Sequence, residues 1–209
     1  MKLKLSLLLV LLVFNVAIAA DPTELLRDIE QRYNDLTDLE VDFKQEVHSG
    51  VFSAVERTEG KMFLAKGDRF RIQTDEQVIA SDGKLLWVYS KENKQVTIDK
   101  VGKTRDLVRP SDYLFTFREN YDAVLLPDSS ISDETYSVIL LTSQDKDQFI
   151  QRMTLYADKT DKLTRRAVYQ DINGNIVEIN FFNLKIDKAL SPETFIFKAP
   201  KGVEEIRLP

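Results

Sequence analysis

Apolar and polar residues alternate in many short runs between Leu39 and Ile186, and turn-forming residues separate these runs. A period of two is typical of a β-strand that buries one face and exposes the other. Two of the breaks, Asp82-Gly83 and Asn173-Gly174, are dipeptides that favour tight hairpin turns. The pattern therefore predicts a single domain built on one antiparallel sheet that is strongly curved or partly closed.

The predicted strands extend along most of the chain. A last short strand is predicted after the final long run, near the C-terminal end. In chain order the strands cover about Leu39–Glu46, Glu59–Lys66, Arg69–Thr74, Gln77–Ser81, Lys84–Ser90, Gln95–Asp99, Tyr121–Leu126, Tyr136–Ser143, Gln151–Ala157, Leu163–Asp171, Ile176–Ile186 and Phe195–Lys198.

Two helices and one helical turn interrupt this pattern. Asp21 can cap a first helix and Pro22 suits its first position, and apolar residues then recur every three or four positions up to Leu36. A short second helix is predicted over about Ser111–Arg118, where large apolar residues are concentrated. We expect both helices to pack on the concave side of the sheet. A helical turn is predicted at Ser191-Pro192-Glu193.

Residues 1–19 are predicted to be a secretory signal peptide rather than part of the fold. A short basic start precedes an apolar run that is too short to span a bilayer, and small residues follow it. Cleavage is expected near Ala19 or Ala20, which leaves residues 20–209 as one domain. An uncleaved N-terminal anchor helix is the alternative. We expect a periplasmic protein without stable membrane insertion.

The composition excludes several kinds of site. The chain has no cysteine, which rules out disulfides, thiolate zinc sites and a lipid-modified cysteine after the signal peptide. Its single histidine rules out a site with several histidine ligands for a metal. The formal net charge of −5 counts against nucleic acid as a partner. We expect a monomer that binds no metal and no cofactor.

No residue pattern points to catalysis. His48 lies at a predicted strand end, and nothing beside it suggests a nucleophile or an orienting acid. Asp145 and Asp147 lie in a polar turn, where a carboxyl group would stay solvated. The segment Asp171–Asn175 resembles part of a calcium loop, but the distal glutamate is missing and a hairpin turn explains the segment. The protein is therefore predicted not to be an enzyme.

The predicted sheet carries more large apolar residues than one helix would cover. One alternating face carries Met62, Leu64, Phe70 and Ile72. The next hairpin is expected to add to this face, with Ile79, Leu85, Trp87 and Tyr89. Two interpretations remain open at this point: an ordinary core beneath a helix, or a cavity enclosed by the curved sheet.

Several segments resemble the periplasmic outer-membrane lipoprotein carrier protein family of diderm bacteria (LolA-like). The most specific segment is Ser81-Asp82-Gly83-Lys84-Leu85-Leu86-Trp87. Leu39–Gln45, Glu59–Leu64, Arg69–Ile72 and Phe195–Val203 add to the resemblance, which covers nearly the whole predicted mature chain. It implies an α+β, mostly β fold, an unclosed antiparallel β-barrel with an N-terminal helix and a short helical lid over an apolar cavity.

The resemblance also implies a function. Members of this family accept a triacylated lipoprotein from an inner-membrane, ATP-driven ABC-type exporter, shield its acyl chains and pass it to an outer-membrane lipoprotein receptor. Acylated lipoproteins would then be the cargo, and these two proteins the partners. The missing cysteine favours the soluble carrier over the receptor, which is itself a lipoprotein. The implied cavity lining comprises Tyr33, Met62, Leu64, Phe70, Ile72, Ile79 and Trp87.

The implied lid carries Tyr113, Leu114, Phe115 and Phe117. We expect Leu114 and Phe115 to fill the mouth of the empty cavity and to move out when an acyl chain takes their place. In family members an arginine forms hydrogen bonds that help hold the lid shut, and this chain has Lys66 at that position. Because lysine lacks the planar fork of arginine, we expect a weaker or differently placed latch.

Other functions stay open. A periplasmic sensor that binds lipid and controls a membrane-bound anti-sigma factor could share the half-barrel, although such proteins usually carry a second domain. Another lipid could replace lipoproteins as the cargo. An enzyme acting on lipid or glycan is a third possibility, against which the lack of a catalytic group counts.

Overall fold

The structure is a computed structural model that describes residues 21–50, 54–101, 110, 114, 121–131 and 134–208. The predicted signal peptide lies outside the described residues. So does the predicted helix Ser111–Arg118, except for Leu114. The described ranges contain one α-helix given in full, twelve strands and one short 3₁₀ helix, and Pro110 and Leu114 are also helical.

The first helix begins where its sequence predicts. Helix α1 spans Pro22–Asp35, and the carboxylate of Asp21 accepts a hydrogen bond of 2.9 Å from the backbone N–H of Thr23. One stripe of the helix, which includes Leu26, Ile29 and Tyr33, is buried against the sheet. No helix among the described residues has the length and apolar character needed to cross a membrane.

All strands predicted up to Ile186 are present, and several extend further than expected. The 3₁₀ helix at Pro192–Phe195 confirms the predicted helical turn. The strands are β1 (Asp38–His48), β2 (Val55–Ala65), β3 (Arg69–Thr74), β4 (Gln77–Asp82), β5 (Leu85–Ser90), β6 (Gln95–Lys100), β7 (Tyr121–Ile131), β8 (Glu134–Ser143), β9 (Ile150–Asp158), β10 (Thr164–Asp171), β11 (Ile176–Ile186) and β12 (Glu204–Arg207).

The twelve strands form one curved, unclosed sheet in the order β12-β6-β5-β4-β3-β2-β1-β11-β10-β9-β8-β7. Each neighbouring pair is antiparallel except β6 and β12, which run parallel. This arrangement confirms the predicted fold class, mostly β with one N-terminal helix. The predicted strand Phe195–Lys198 is wrong, because these residues join no strand ladder and the last strand is instead Glu204–Arg207.

Cross-strand register defines the inner face of the sheet, the face on which α1 packs. Val41 lies opposite Met62, Met62 opposite Ile72, and Ile72 opposite Ile79, so these side chains share that face. A second row runs from Leu39 through Leu64 to Phe70. Together with the buried stripe of α1, the inner face of the sheet forms the main core of the molecule.

The opposite, outer face carries a second and smaller apolar cluster. Trp87 lies opposite Ala80 and Ile98, and the residues that follow the 3₁₀ helix, Phe197 among them, cover this cluster. The ring centroids of Tyr89 and Phe197 are 4.9 Å apart. Successive side chains of a strand alternate between faces, so Ile79 and Ala80 point to opposite faces. Trp87 is the partner of Ala80 and therefore lies on the face opposite to Ile79. The expectation that Leu85, Trp87 and Tyr89 share a face with Ile79 is therefore wrong.

Candidate functional site

A cavity of about 490 Å³ opens between the C-terminal end of α1, the start of β1 and the turn from β2 to β3. A volume in this range suits a small-molecule ligand. About half of the residues that line it are apolar, and polar residues such as Thr37, Asp38 and Lys66 lie among them. The apolar lining comprises Tyr33, Leu36, Leu39, Leu64, Ala65, Phe70 and Pro110.

The structure brings together only part of the predicted lining. Tyr33, Leu64 and Phe70 line this cavity. Met62 and Ile72 lie on the inner face but belong to the closely packed core, where Met62 is only 1% exposed. Ile79 is half-buried on the same face and outside the cavity. Trp87 is placed on the outer face, so the sheet separates it from the cavity.

Asp38 is a buried polar residue in the cavity wall. Its carboxylate accepts hydrogen bonds from the backbone N–H groups of Lys188 at 2.8 Å and Leu190 at 3.1 Å. The neighbouring Asp187 carboxylate accepts from both the backbone N–H and the hydroxyl of Thr37, each at 2.8 Å, and these bonds lower the pKa of Asp187. The segment after β11 is thereby fixed beside the cavity.

A buried chain of hydrogen bonds lies behind the cavity. The backbone N–H of Thr164, at the start of β10, donates to the phenol oxygen of Tyr33 at 3.2 Å. The hydroxyl of Thr164 donates to the backbone carbonyl of Leu114, also at 3.2 Å. Burial is the main cause that raises the pKa of Tyr33, to about 12, so its phenol stays protonated at neutral pH. Thr164 thus joins α1, β10 and the one described residue of the predicted lid.

Among the described residues, the hydrogen bond to Leu114 is made by Thr164 and not by Lys66. The side chain of Lys66 is exposed, and its backbone carbonyl accepts a 2.9 Å hydrogen bond from Nε of Arg69. Leu114 is only 1% exposed and packs in the main core. Tyr113, Phe115 and Phe117 lie outside the described residues. The predicted lid latch therefore stays a prediction for Lys66, with Thr164 as a new candidate.

The other polar groups considered from the sequence do not converge on the cavity. His48 lies at the far end of β1, and its Nε2 is 3.7 Å from a carboxylate oxygen of Glu46. The carboxylate of Asp171 accepts hydrogen bonds from the N–H groups of Asn173 and Asn175, which confirms the hairpin turn. Among the described residues no group of acidic and histidine side chains is placed to hold a metal ion.

Comparisons with known proteins identify the family. Residues 34–198 match the family described as outer membrane lipoprotein carrier protein LolA. An outer-membrane lipoprotein carrier protein of Legionella pneumophila (strain Paris) is 28% identical over 214 residues, covering 98% of each chain.

Two solved structures share the fold. A crystal structure of a conserved protein from Thermus thermophilus has a TM-score of 0.62 at 16% identity and covers 89% of this chain and 98% of that one. A crystal structure of MucB has a TM-score of 0.54 at 14% identity, covering 87% of this chain and 64% of MucB. On the family match over most of its length, the chain belongs to the outer-membrane lipoprotein carrier protein LolA family.

Proposed function

We propose that this protein is a periplasmic carrier that shields the acyl chains of lipoproteins. The observation that carries the proposal is the apolar cavity between α1 and the β1–β3 strands, in a chain of the lipoprotein carrier family. The relatives named as outer-membrane lipoprotein carrier proteins support the same cargo. An enzymatic activity is not part of the proposal.

The chemistry of the cavity suits an acyl chain. Each methylene group that moves from water to an apolar wall contributes about 0.8 kcal/mol, so a long chain gains a large free energy from sheltering even part of its length. Leu39, Leu64 and Phe70 supply such a wall. Thr37, Asp38 and Lys66 among the lining residues would lie near the polar part of the lipoprotein, which stays hydrated.

A carrier also has to receive and release its cargo. In this proposal the protein accepts lipoproteins from an inner-membrane ABC-type exporter and passes them to an outer-membrane receptor. Leu114 and Phe115 would leave the cavity mouth when an acyl chain enters. Support comes from Leu114, which is buried in the main core and whose backbone carbonyl accepts a hydrogen bond from the hydroxyl of Thr164.

A binding experiment tests the cargo. A synthetic peptide with a tripalmitoylated N-terminal cysteine is titrated into the purified protein, with the same peptide without acyl chains as the reference. We expect binding of the acylated peptide only. Leu64→Glu places a charge in the cavity wall and should weaken binding at least tenfold, because an unpaired charge is costly to desolvate. Leu126→Glu is the matched control, since Leu126 is exposed on β7.

A release experiment tests the transport step. Inner-membrane vesicles that contain the exporter and a newly made lipoprotein are incubated with ATP and the purified protein. The proposal expects a soluble complex of the protein with the lipoprotein. Normal lipoprotein sorting in cells depleted of the protein, together with an altered stress response, would contradict it in favour of a sensor. Turnover of a lipid by the pure protein would favour an enzyme.

A further inference from the structure

An open groove of about 630 Å³ lies on the outer face of the sheet, on the other side from the acyl cavity. One wall is formed by β2–β5 and contributes Phe63, Val78 and Tyr89. The other wall is the segment from the 3₁₀ helix onwards, with Ile196 and Phe197. Phe63 and Leu64 are neighbours on one strand, so the groove and the cavity share strands without sharing side chains.

Arg71 lies in this groove with an incompletely satisfied charge. It is half-buried, and burial lowers the pKa of its guanidinium, although arginine keeps its charge at neutral pH. Its Nε donates to the side-chain oxygen of Gln73 at 3.3 Å and its Nη1 to the carbonyl of Thr194 at 3.4 Å. Both bonds are longer than the usual range for N–H···O contacts, and no carboxylate of the described residues pairs with Arg71.

Two other cations on the outer face are paired with carboxylates. Nζ of Lys61 lies 2.7 Å from the Asp42 carboxylate, and Nη2 of Arg166 lies 2.8 Å from that of Glu178. A partly desolvated guanidinium without an anion is costly, so its position in an apolar groove calls for a ligand that brings a negative charge.

The charge balance of the groove points the same way. Lys198 adds a second cation to its lining, and Glu193 is the one carboxylate there. The carboxylate of Glu193 is already engaged by the hydroxyl of Ser191, which lowers the pKa of Glu193. The lining therefore carries two cations and one ionised carboxylate. Because Lys198 also helps to lower the pKa of Glu193, Arg71 is the cation of the groove that has no carboxylate partner among the described residues.

We infer that this outer groove is a docking site for an extended segment of a partner protein in which acidic residues alternate with large apolar ones. The carboxylates would pair with Arg71 and Lys198, and the apolar side chains would pack on Tyr89 and Phe197. A groove so open to solvent suits a peptide, whose backbone can remain hydrated, better than a lipid tail, which needs enclosure. Docking there leaves the acyl cavity on the inner face accessible, so it does not depend on the cargo proposed above.

A peptide titration tests this inference. The probe is a fluorescently labelled eight-residue peptide of alternating phenylalanine and glutamate, added to the purified protein at physiological salt. The reference probe alternates phenylalanine and lysine. We expect the acidic peptide to bind at least tenfold more tightly than the basic one. Equal binding of both peptides, or tighter binding of the basic one, would overturn the inference.

Charge reversal locates the site. Arg71→Glu should weaken binding of the acidic peptide at least tenfold, because it replaces an attractive charge contact by a repulsive one. Lys84→Glu makes the same change on the exposed turn between β4 and β5 and should leave the affinity unchanged. An effect of Lys84→Glu as large as that of Arg71→Glu would show attraction by overall charge and overturn the inference.

Two further measurements keep the test decisive. Lys198→Glu changes an exposed groove residue, so it should fold normally and weaken binding even where Arg71→Glu unfolds the protein. Unchanged affinity in Lys198→Glu would contradict the inference. Dodecanoate should not displace the acidic peptide. Displacement of the peptide by dodecanoate would mean that the groove takes a lipid carboxylate, and would overturn the inference.

Discussion

Thr164 holds three parts of the molecule together through two of its atoms. Its N–H contacts the phenol of Tyr33, and its hydroxyl contacts the carbonyl of Leu114. Thr164→Val keeps the shape and removes only the second contact, which leaves a carbonyl without its bond in a buried place. We expect the free energy of unfolding to fall by about 1–3 kcal/mol in urea denaturation.

The control for this change is Thr154→Val, at a half-buried position on β9. It should alter stability by less than about 0.5 kcal/mol. In the carrier proposal, Thr164→Val should also release Leu114 more easily and speed the uptake of an acylated peptide. Equal stability of the two variants would remove Thr164 as a candidate latch.

Tyr33 predicts how stability depends on alkaline pH. Its pKa is about 12 in the folded protein and about 10 in an unfolded chain, so folding favours the protonated phenol. This contribution is fully present below about pH 10 and is lost as the pH rises towards 12, at most about 3 kcal/mol in total. The free energy of unfolding should therefore decrease over that range.

Two other tyrosines, Tyr136 and Tyr169, also have pKa values raised to about 12. Tyr33→Phe should accordingly reduce the alkaline decrease of stability by about a third, measured by urea denaturation at several pH values between 9 and 11. A slope identical to that of the unmodified protein would mean that the Tyr33 phenol is not buried in solution.

Gly60, at the centre of β2, sets how closely β2 can pack against β1 and β3. A Cβ there would lie 2.4 Å from the carbonyl oxygen of Gln73 and 2.9 Å from ring atoms of Phe43. The Gln73 oxygen belongs to the backbone of the neighbouring strand and cannot move alone. Gly60→Ala should therefore lower the free energy of unfolding by about 1–3 kcal/mol.

The matched control is the adjacent change Glu59→Ala. It removes an exposed ion pair of 2.9 Å with Lys44, and such pairs contribute less than about 1 kcal/mol. Thermal or urea denaturation of both variants compares the two effects directly. Similar stabilities would contradict the close approach of β2 and β3 at this position.

In strand β5 the sequence predicted the strand but not which side chains lie on which face of the sheet. Its residues Leu85 to Tyr89 are all apolar. The C-terminal segment covers the side chains on the outer face, and Leu86 on the inner face is buried as well. A run that is buried on both sides has no alternation, so it carries no signal for which face is which. Strands with charged residues on one side, such as β1, were placed correctly.

Some residues of the candidate site were predictable from local sequence patterns and others were not. Leu64 and Phe70 were predictable because local alternation places them on the inner face. Asp38 and Thr164 act through partners about 150 and 131 residues away in the chain, which no local pattern reveals. β12 was missed for a similar reason, since all four residues of Glu204–Arg207 are exposed and pair with the distant edge strand β6.

At the scale of the whole molecule, the sheet separates two apolar layers. The inner layer contains α1 and the cavity, and the outer layer contains Trp87 beneath the C-terminal segment. Trp87 is the only tryptophan of the chain, so its fluorescence reports on the outer layer alone. This arrangement makes the separation of the two layers measurable.

Binding of a tripalmitoylated peptide in the cavity should leave the emission maximum of Trp87 unchanged, because the sheet lies between the two. Phe197→Ala opens the cover of the outer cluster and should shift the emission to longer wavelength as water reaches the indole. Phe182→Ala, at an exposed position on β11, should have no such effect. A shift on acyl binding comparable to that of Phe197→Ala would mean that cargo reaches the outer layer or rearranges the sheet. The cavity and the outer groove would then be coupled, and a partner docked at Arg71 would sense whether the carrier is loaded.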